Sequence, residues 1–577
     1  MIGGWVNFIS EQCAVLDTFT HKRAVMYFYD ETMKTMKRLL FQVHRWLGVV
    51  LGLFMVVWFG SGVVIMYSPT ITQTRSQQLA HAETLSPEFG WLSLGEAWAR
   101  SAEQRKTAAG TGKNSNTVSV AEGKGVKDAV ASIVDARLVR SAGEPLWLIE
   151  DTKAQRYALS ARDGAVQTIT AEQALTIAQH WFAGNNKIDL TTARVLGTID
   201  KTILLRNQDA LSPFYHVALG SEGDELLISS KTGEVLHASN RQERAFYWAG
   251  NWVHLMKPLD ALGLGGIRND VQLWLALAAT IATLTGLIIG WLRWRPGLAG
   301  NATYSEGRTQ PYREFWFTWH FWSGLVGGCV VFLWALSGFL DTNPGKIFSQ
   351  ANPNRQEINR YLGTGLPFVM SQWQPNLSLQ LAAAVEGDEV VELSWKRLGD
   401  EPVLLAYTRE GQRLAQAVEG TAAYFKDTAL HAAVARLAPN TAIARQQRLV
   451  NYDSYYYPRQ DQSRVEKPLP VALVVLADAT QTRLYIDPQD GKLLAKLDSS
   501  ARVLRWLYSA VHHWDFGWFT YRPLWDVWML MWLSFGMVLG VSSVVIGWRR
   551  LKKTCAVNKR DIRKSRSSTV NNDAKVF

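Results

Sequence analysis

The sequence predicts an integral membrane α-helical bundle of four transmembrane helices that carries two external α+β domains. This fold class is supported by four long apolar blocks, two long polar stretches between them, and an internal tandem repeat. Each block is long enough for a helix to cross the hydrocarbon core, which takes about 20 residues. The blocks run from Leu40 to Tyr67, Val271 to Leu292, Trp316 to Leu340 and Leu524 to Trp548.

The charge distribution predicts the orientation of these helices. The chain of 577 residues has a formal net charge of +11, and many of its Lys and Arg residues flank the apolar blocks. Basic residues beside membrane spans indicate the cytoplasmic side, and this placement does not suit a nucleic-acid surface. We therefore expect both termini and the connector around Arg293 to Arg313 in the cytoplasm, with the two polar stretches outside.

Matching motifs indicate a tandem repeat. His44-Arg-Trp-Leu-Gly48 in the first block aligns with His320-Phe-Trp-Ser-Gly324 in the third. A Val-His dipeptide also precedes the second and fourth blocks, at His254 and His512. Two copies of a helix, an external domain and a second helix explain this pattern. The same offset as between His44 and His320 pairs Gly52 with Gly328, Trp58 with Trp334, and Ser61-Gly62 with Ser337-Gly338.

The polar stretches contain strand-like runs that end in glycine-bearing turns, at Gly164 and Gly233 in the first and at Gly411 and Gly491 in the second. Alternating residues before such turns predict β-hairpins. Amphipathic patterns predict helices at 170–181, with Thr170 as the N-cap, and at 420–437. Each external domain is expected to be a small α+β sandwich.

These features resemble the PepSY-associated transmembrane family. The likeness rests on the paired spans with His-Arg-Trp-Leu-Gly and Val-His motifs and on the Thr-Gly-Glu-Val-Leu and Asp-Gly-Lys-Leu-Leu turns, from about Met36 to Lys553. Within the family, the chain is most similar to the bacterial inner-membrane ferrisiderophore reductases of the ferrioxamine-utilisation type. The resemblance implies a dihaem protein that reduces siderophore-bound iron in the periplasm, with PepSY-like external domains.

The predicted segments follow from the blocks and the resemblance together. They are an unassigned N-terminal extension (1–35), the first helix (36–67), the first periplasmic domain (68–250), an interfacial segment with the second helix (251–295), a cytoplasmic loop (296–315), the third helix (316–340), the second periplasmic domain (341–505), an interfacial segment with the fourth helix (506–550) and a cytoplasmic tail (551–577).

Two histidines inside the apolar blocks are candidate haem ligands. His44 and His320 lie at matched depth in two helices that run in the same direction, and an intramembrane imidazole needs a partner. Glycines follow each histidine on its own helix face, where missing side chains would leave a slot for a flat macrocycle. These are Gly48, Gly52, Gly324 and Gly328. The alternative is a glycine-lined helix contact with histidines bonded to backbone.

His254 and His512 are the candidate ligands of a second haem on the external side. The aromatic-rich stretches before them indicate short interfacial helices. His513 is the reserve candidate, because adjacent helix positions point about 100 degrees apart and only one imidazole can face the iron. Ordinary interfacial histidines are the alternative. With two axial imidazoles each, two b-type haems would suit electron transfer.

Motifs that the sequence lacks restrict the possible electron donor and the way in which a haem could be attached. No GxGxxG motif after a strand and no P-loop occurs, so a quinol or a separate cytoplasmic reductase is expected as electron donor. No CxxCH occurs, so any haem is not covalently attached. The polar stretches lack cysteine and so fold without disulfides.

A tyrosine-rich segment is the candidate site for the ferric chelate. Its aromatic faces and its two charges would form an external platform, whereas the alternative is a strand and turn whose tyrosines pack on the sheet. The segment includes Tyr452, Asp453, Tyr455, Tyr456, Tyr457 and Arg459.

Two further functional classes compete with the reductase. A non-redox protein would use its PepSY-like domains to bind or regulate envelope components. A permease would move the chelate itself, but four spans with little intramembrane charge make a poor substrate path.

Overall fold

The computed structural model describes residues 3–69, 71–108, 132–184, 188–202, 204–205, 208–220, 223–298, 302–349, 352–363, 368–375, 389–416, 423–459, 463–516, 519 and 521–573. The chain forms two compact units. The helical unit comprises Met1–Tyr67, Ala249–Gly345 and Leu507–Phe577, and the sheet unit comprises Ser68–Trp248 and Lys346–Trp506.

The long helices belong to the helical unit, and the helices of the sheet unit are short. In chain order they are α1 (Gly3–Met66), α2 (Arg75–Ala80), α3 (Leu94–Arg100), α4 (Ala102–Ala108), α5 (Ala171–Trp181), α6 (Arg241–Tyr247), α7 (Pro258–Ala261), α8 (Arg268–Arg293), α9 (Phe315–Val326), α10 (Gly328–Asp341), α11 (Arg355–Leu362), α12 (Phe368–Gln372), α13 (Asp427–Leu437), α14 (Ser499–Leu504), α15 (Val511–His513) and α16 (Leu524–Asp573).

Other helical turns are short. Two are π-helices, Trp248–Trp252 and Arg505–Ala510, and each lies a few residues before a candidate histidine. The 3-10 turns are Leu190–Thr192, Asp209–Leu211, Gly265–Ile267, Ser305–Gly307 and Pro344–Lys346.

Three described helical segments are long and apolar enough to cross a membrane: Glu31–Met66, Gly265–Arg293 and Leu524–Thr554. The third block of the sequence is instead split into α9 and α10, which are bent by 68° and count as a fourth span only if they cross together. The single helix expected from Trp316 to Leu340 is therefore corrected to a bent pair.

Close packing at two glycines accompanies the bend. A Cβ on Gly327 would lie 2.6 Å from Cβ of Phe535 in α16, and one on Gly328 would lie 2.7 Å from Cδ2 of Leu287 in α8. A larger residue at Gly327 would require the backbone near Phe535 to shift, whereas one at Gly328 would require the Leu287 side chain to move. The sequence does not predict this bend, because the residues before and after Gly327 are equally apolar.

The sheet unit contains three antiparallel sheets. Its strands are β1 (Ile133–Ser141), β2 (Glu144–Asp151), β3 (Arg156–Ser160), β4 (Val166–Gln167), β5 (Arg194–Ile199), β6 (Phe214–Leu219), β7 (Asp224–Ser229), β8 (Val235–Ser239), β9 (Val390–Leu398), β10 (Glu401–Thr408), β11 (Arg413–Ala415), β12 (Ile443–Leu449), β13 (Val471–Leu476), β14 (Arg483–Ile486) and β15 (Leu493–Leu497).

The largest sheet joins the two polar stretches of the sequence. Its seven strands have the order β11-β10-β9-β1-β2-β3-β4, and β1 pairs with β9 in the register Ala136↔Trp395 to Val139↔Glu392. Two four-stranded sheets, β5 to β8 and β12 to β15, each stay within one stretch. Since a β1–β9 ladder is shared, the two stretches fold as parts of one unit.

Buried charges lie along the β1–β9 seam. The Glu392 carboxylate accepts from Arg75 at 2.7 Å and lies 3.5 Å from the Arg137 guanidinium, which also pairs with Glu234. Lys396 bonds Asp135 across the same seam at 2.8 Å. Removing one partner from such a buried network is costly, because the remaining charge is left uncompensated.

The four predicted hairpins are confirmed. Gly164, Gly233, Gly411 and Gly491 all have positive φ in the turns that join β3 to β4, β7 to β8, β10 to β11 and β14 to β15. The helix after Thr170 is confirmed as α5, and the Thr170 side chain accepts from the Gln173 amide in a capping box. The second predicted helix is shorter than 420–437, since α13 begins at Asp427, and 420–422 lie outside the described residues.

Candidate cofactor-binding sites

The helical unit brings the four candidate histidines together as two pairs. The ring centres of His44 in α1 and His320 in α9 lie 6.2 Å apart, and we name these the first pair. Those of His254 and His512 in α15 lie 6.5 Å apart, and we name these the second pair. The repeat alignment predicted both pairings.

Both distances suit two imidazoles on opposite sides of one metal ion. A metal–imidazole bond is about 2.0 Å long and the nitrogen lies about 1.1 Å from its ring centre, so the two centres would be about 6.2 Å apart. Rings packed edge to face have centres in the same range, about 4.5–7 Å, and the ring planes here are inclined at 50° and 73°. The spacing is therefore compatible with a shared metal ion and equally with direct ring contact.

The Nδ1 atom of every one of these histidines has a hydrogen-bond partner. His44 Nδ1 lies 3.0 Å from the carbonyl oxygen of Ala282 in α8, which can only accept, so this nitrogen donates. In His320 the partner is the Ser542 hydroxyl of α16, at 2.9 Å. The remaining nitrogen, Nε2, is the one that can face a metal.

Serine hydroxyls bond the second pair in the same way. Ser61 Oγ lies 3.0 Å from His254 Nδ1, and Ser337 Oγ lies 3.0 Å from His512 Nδ1. Burial lowers the pKa of His254 to about 4 and also lowers the pKa of His512. Both imidazoles are therefore neutral at neutral pH, which is the form that binds metal.

A glycine allows the close approach of one imidazole, and two further glycines lie at ordinary contact distance from others. A Cβ on Gly286 in α8 would lie 2.7 Å from Cε1 of His44, so a side chain there would displace the ring. The corresponding distance is 3.8 Å both from Gly62 to His254 and from Gly338 to His512. Each Ser-Gly dipeptide of the repeat therefore lies against one histidine: Ser61-Gly62 against His254, and Ser337-Gly338 against His512.

The predicted slot glycines have mixed surroundings. A Cβ on Gly48 would have no atom within 4 Å, and one on Gly324 would lie 3.5 Å from Leu539. By contrast, one on Gly52 would lie 3.2 Å from Cβ of Ser543, and Gly328 packs on Leu287. Gly52 and Gly328 are therefore assigned to helix packing. Only Gly48 and Gly324 have room for a side-chain atom without close contact.

The π-helices give the second pair its local framework. Trp248–Trp252 and Arg505–Ala510 occupy matching positions before His254 and His512. A π-helix changes the register of side chains within a helix and is frequent at functional sites. His513 lies beside the second pair, with its ring centre 5.2 Å from that of His512, and its carbonyl accepts from the Trp525 indole at 2.9 Å.

Several histidines elsewhere have ordinary packing partners. His216 bonds Glu225 at 2.9 Å, the buried His237 bonds Ser239 at 2.8 Å, and His431 bonds Gln446. His81 stacks on Trp181. Within the described part of the chain, no group of three or more His, Cys, Asp or Glu side chains could hold a metal ion.

Each histidine pair supplies only two ligands, so it favours a metal cofactor that contains the remaining ligands itself. Two imidazoles leave four positions of a six-coordinate ion to be filled, and a porphyrin supplies four nitrogens in the plane between two axial histidines. The two pairs fit that requirement through their spacing and their available Nε2 atoms. They lie at two depths along α1: His44 and Ser61, which contacts the second pair, are 17 positions apart, about 25 Å at 1.5 Å rise per residue.

The tyrosine-rich segment has a largely structural arrangement. Tyr456 is fully buried, stacks on Tyr485 and donates to the carbonyl of Pro468, so it cannot present a face to a ligand. Asp453 accepts from two backbone amides of the segment and from the Tyr485 hydroxyl at 2.7 Å. These two residues support the packing alternative.

Other members of the segment keep some exposure. Tyr452, Tyr455 and Tyr457 are partly buried, and Arg459 is exposed. Tyr452 donates to the carbonyl of Lys467, and the Tyr457 hydroxyl accepts from Arg505. A surface cavity of about 520 Å³ adjoins Tyr452 and is also lined by Arg413 and Arg464.

Comparison with known families gives one match. The family model described as the PepSY-associated TM region matches residues 41–383, which is more than half of the chain. The matched range includes His44, His254 and His320 but ends before His512. Among curated proteins, none matches the chain.

Proposed function

The chain belongs to the PepSY-associated TM family, and we propose that it is a dihaem b-type membrane oxidoreductase that reduces ferric siderophore. In this proposal it moves electrons across the bacterial inner membrane and releases ferrous iron in the periplasm. It would then act like the ferrisiderophore reductases of the ferrioxamine-utilisation type.

One observation carries the proposal: two histidine pairs, each with a separation that could accommodate a shared metal ion, lie at two depths of the helical unit. Their ring centres are 6.2 and 6.5 Å apart, and each Nδ1 is already bonded to protein. A binding protein without redox activity has no need for four partly buried imidazoles arranged in this way. An intramembrane histidine is costly and is retained where it has a function.

The chain's own residues perform binding, orientation and exclusion of water. His44 and His320 would hold one haem, and His254 and His512 the other. A bound haem would supply a one-electron couple. The surrounding apolar helices would limit the access of water to both pairs.

The topology suits transfer across the bilayer. If the bent pair α9–α10 crosses as one span, the chain has four spans and the basic residues near Arg293 and Arg549 lie on one side. We assign that side to the cytoplasm, where a quinol or a cytoplasmic reductase would supply the electrons. His44 and His320 would hold a haem near that side, and His254 and His512 one near the other side; the two haems would supply the one-electron chemistry that reduces each ferric ion to ferrous iron, which leaves the siderophore.

The test uses the purified protein with a ferric trihydroxamate as acceptor. The protein is reduced with limiting dithionite under argon and mixed with the chelate in the presence of a ferrous-specific chromophore. We expect loss of the reduced haem band with formation of one ferrous ion per electron stored. A fully reduced protein that is not oxidised by any ferric siderophore would contradict the reductase function.

A His512→Ala variant is the matched control. Its first-pair haem should still be reduced by dithionite, but electron delivery to the chelate should be slowed at least tenfold. Equal rates in both proteins would exclude the second pair as the exit site.

A further inference from the structure

Three hydroxyls that face the histidine pairs have a shared geometry. Building on the proposed haem function, we propose that Ser61, Ser337 and Ser542 are positioning residues that fix the tautomer of the axial histidines and lower the reduction potential of the iron that these hold. Thus Ser61 and Ser337 would act on the second pair, and Ser542 on His320 of the first.

Each hydroxyl proton is already used within its own helix. The Oγ atoms of Ser61, Ser337 and Ser542 donate to the carbonyl oxygens three residues earlier, each at 3.0 Å. A serine has one proton to donate. Its oxygen can then only accept from the imidazole, so Nδ1 carries the histidine proton and Nε2 carries the lone pair.

The fourth histidine has a carbonyl in this role. His44 Nδ1 lies 3.0 Å from the Ala282 carbonyl oxygen, which can only accept, and the Thr285 hydroxyl lies 3.4 Å away.

An acceptor on Nδ1–H makes the imidazole a stronger electron donor at Nε2. Hydrogen bonds to the outer nitrogen raise ligand basicity and fix ring orientation at metal sites. A more basic ligand stabilises ferric iron more than ferrous iron, so the reduction potential falls. Removing one hydroxyl leaves both imidazoles in place, so the haem is expected to stay bound at a more positive potential.

The experiment measures reduction potentials by spectroscopic titration of full-length variants. In a His44→Ala background, where only the second-pair haem remains, adding Ser61→Ala or Ser337→Ala should shift its potential to more positive values. In a His254→Ala background, Ser542→Ala should shift the first-pair haem in the same direction. Ser337→Thr in the His44→Ala background keeps a hydroxyl and should have the same reduction potential as that background alone.

Ser534 provides a matched control in α16. Its hydroxyl makes the same bond to the carbonyl three residues earlier, Met531, at 2.6 Å, and it is exposed. Ser534→Ala should leave both potentials unchanged. This variant accounts for any general effect of removing a serine from a helix in the bundle.

The outcomes separate this inference from the proposed function. Haem-free wild-type protein would contradict the proposed function itself. Two haems with unchanged potentials in the alanine variants would overturn only the positioning role. If Ser337→Ala loses its haem, retention with the original potential in Ser337→Thr supports the role, whereas loss in both variants overturns it.

Discussion

The two histidine pairs have similar geometry but are held by different elements. The first pair lies on α1 and α9, and its Nδ1 atoms are bonded by Ala282 in α8 and Ser542 in α16. The second pair follows two π-helices, and its Nδ1 atoms are bonded by Ser61 in α1 and Ser337 in α10.

The comparison indicates that the first and third spans serve both sites. His44 and Ser61 are 17 positions apart on α1, and His320 and Ser337 have the same separation on α9 and α10. Each of these two spans thus provides an imidazole to the first pair and a hydroxyl to the second. The sites are separate in space but share their supporting helices.

The largest expected effect is the loss of one haem from either pair. His44→Ala or His320→Ala should remove about half of the haem, and His254→Ala or His512→Ala should remove the other half. Haem per chain is measured from the pyridine haemochrome spectrum. A double variant, His44→Ala with His254→Ala, should be free of haem.

Surface histidines provide the control for these substitutions. His216→Ala removes an imidazole that bonds Glu225 in the sheet unit, and should keep full haem content. If every variant of the two pairs also kept full content, the assignment of ligands would be contradicted.

A glycine substitution should weaken the first pair selectively. Gly286→Ala would place a Cβ 2.7 Å from Cε1 of His44, so the imidazole must turn away from its partner. We expect reduced haem occupancy at the first pair and normal occupancy at the second. Selective measurement is made in the His254→Ala and His44→Ala backgrounds.

Gly48→Ala is the matched change, because a Cβ there has no atom within 4 Å. Both substitutions raise helix propensity by about 1 kcal/mol, so any difference between them arises from the contact with His44. Equal occupancy in the two variants would show that Gly286 does not set the position of the ring.

A smaller effect is expected at Trp58. Its indole donates to the carbonyl oxygen of His254 at 3.1 Å, and Trp58→Phe removes a hydrogen bond worth about 1 kcal/mol. The second-pair haem should therefore be lost at a slightly lower temperature in a thermal melt followed by visible absorbance.

The repeat provides the matching variant. Trp334 is the counterpart of Trp58, and its buried indole nitrogen has no hydrogen-bond partner in the described part of the chain. Trp334→Phe should therefore cost less than Trp58→Phe. The reverse order would mean that packing, and not the hydrogen bond, decides stability at these positions.

The smallest effect is expected at His513. His512 faces His254, and His513→Ala should keep two haems with the wild-type spectrum. Loss of the second haem in His513→Ala, with retention in His512→Ala, would show that His513 and not His512 is the ligand.

The sequence predicted those features that depend on local pattern and on the repeat. The four histidines, their pairing and all four hairpin turns were identified from motif spacing. The positioning serines carried a detectable signal as well, because Ser61-Gly62 and Ser337-Gly338 match at the repeat offset. The hydrogen bonds to imidazole that give this match a role are visible only in the structure.

Features that depend on packing between distant segments were not predicted. Gly286 lies outside the repeated motifs, and only the approach of α8 to α1 makes it matter for His44. The β1–β9 ladder joins residues about 250 positions apart along the chain, and pairing at that separation leaves no periodic signal. The bend at Gly327 likewise depends on Phe535 in another helix.

The most direct test of the central claim is the haem content and low-temperature electron paramagnetic resonance spectrum of the purified, oxidised protein. We predict two haems per chain, both low-spin ferric with two axial imidazoles. A colourless protein, or a single haem that survives replacement of all four paired histidines, would contradict the account.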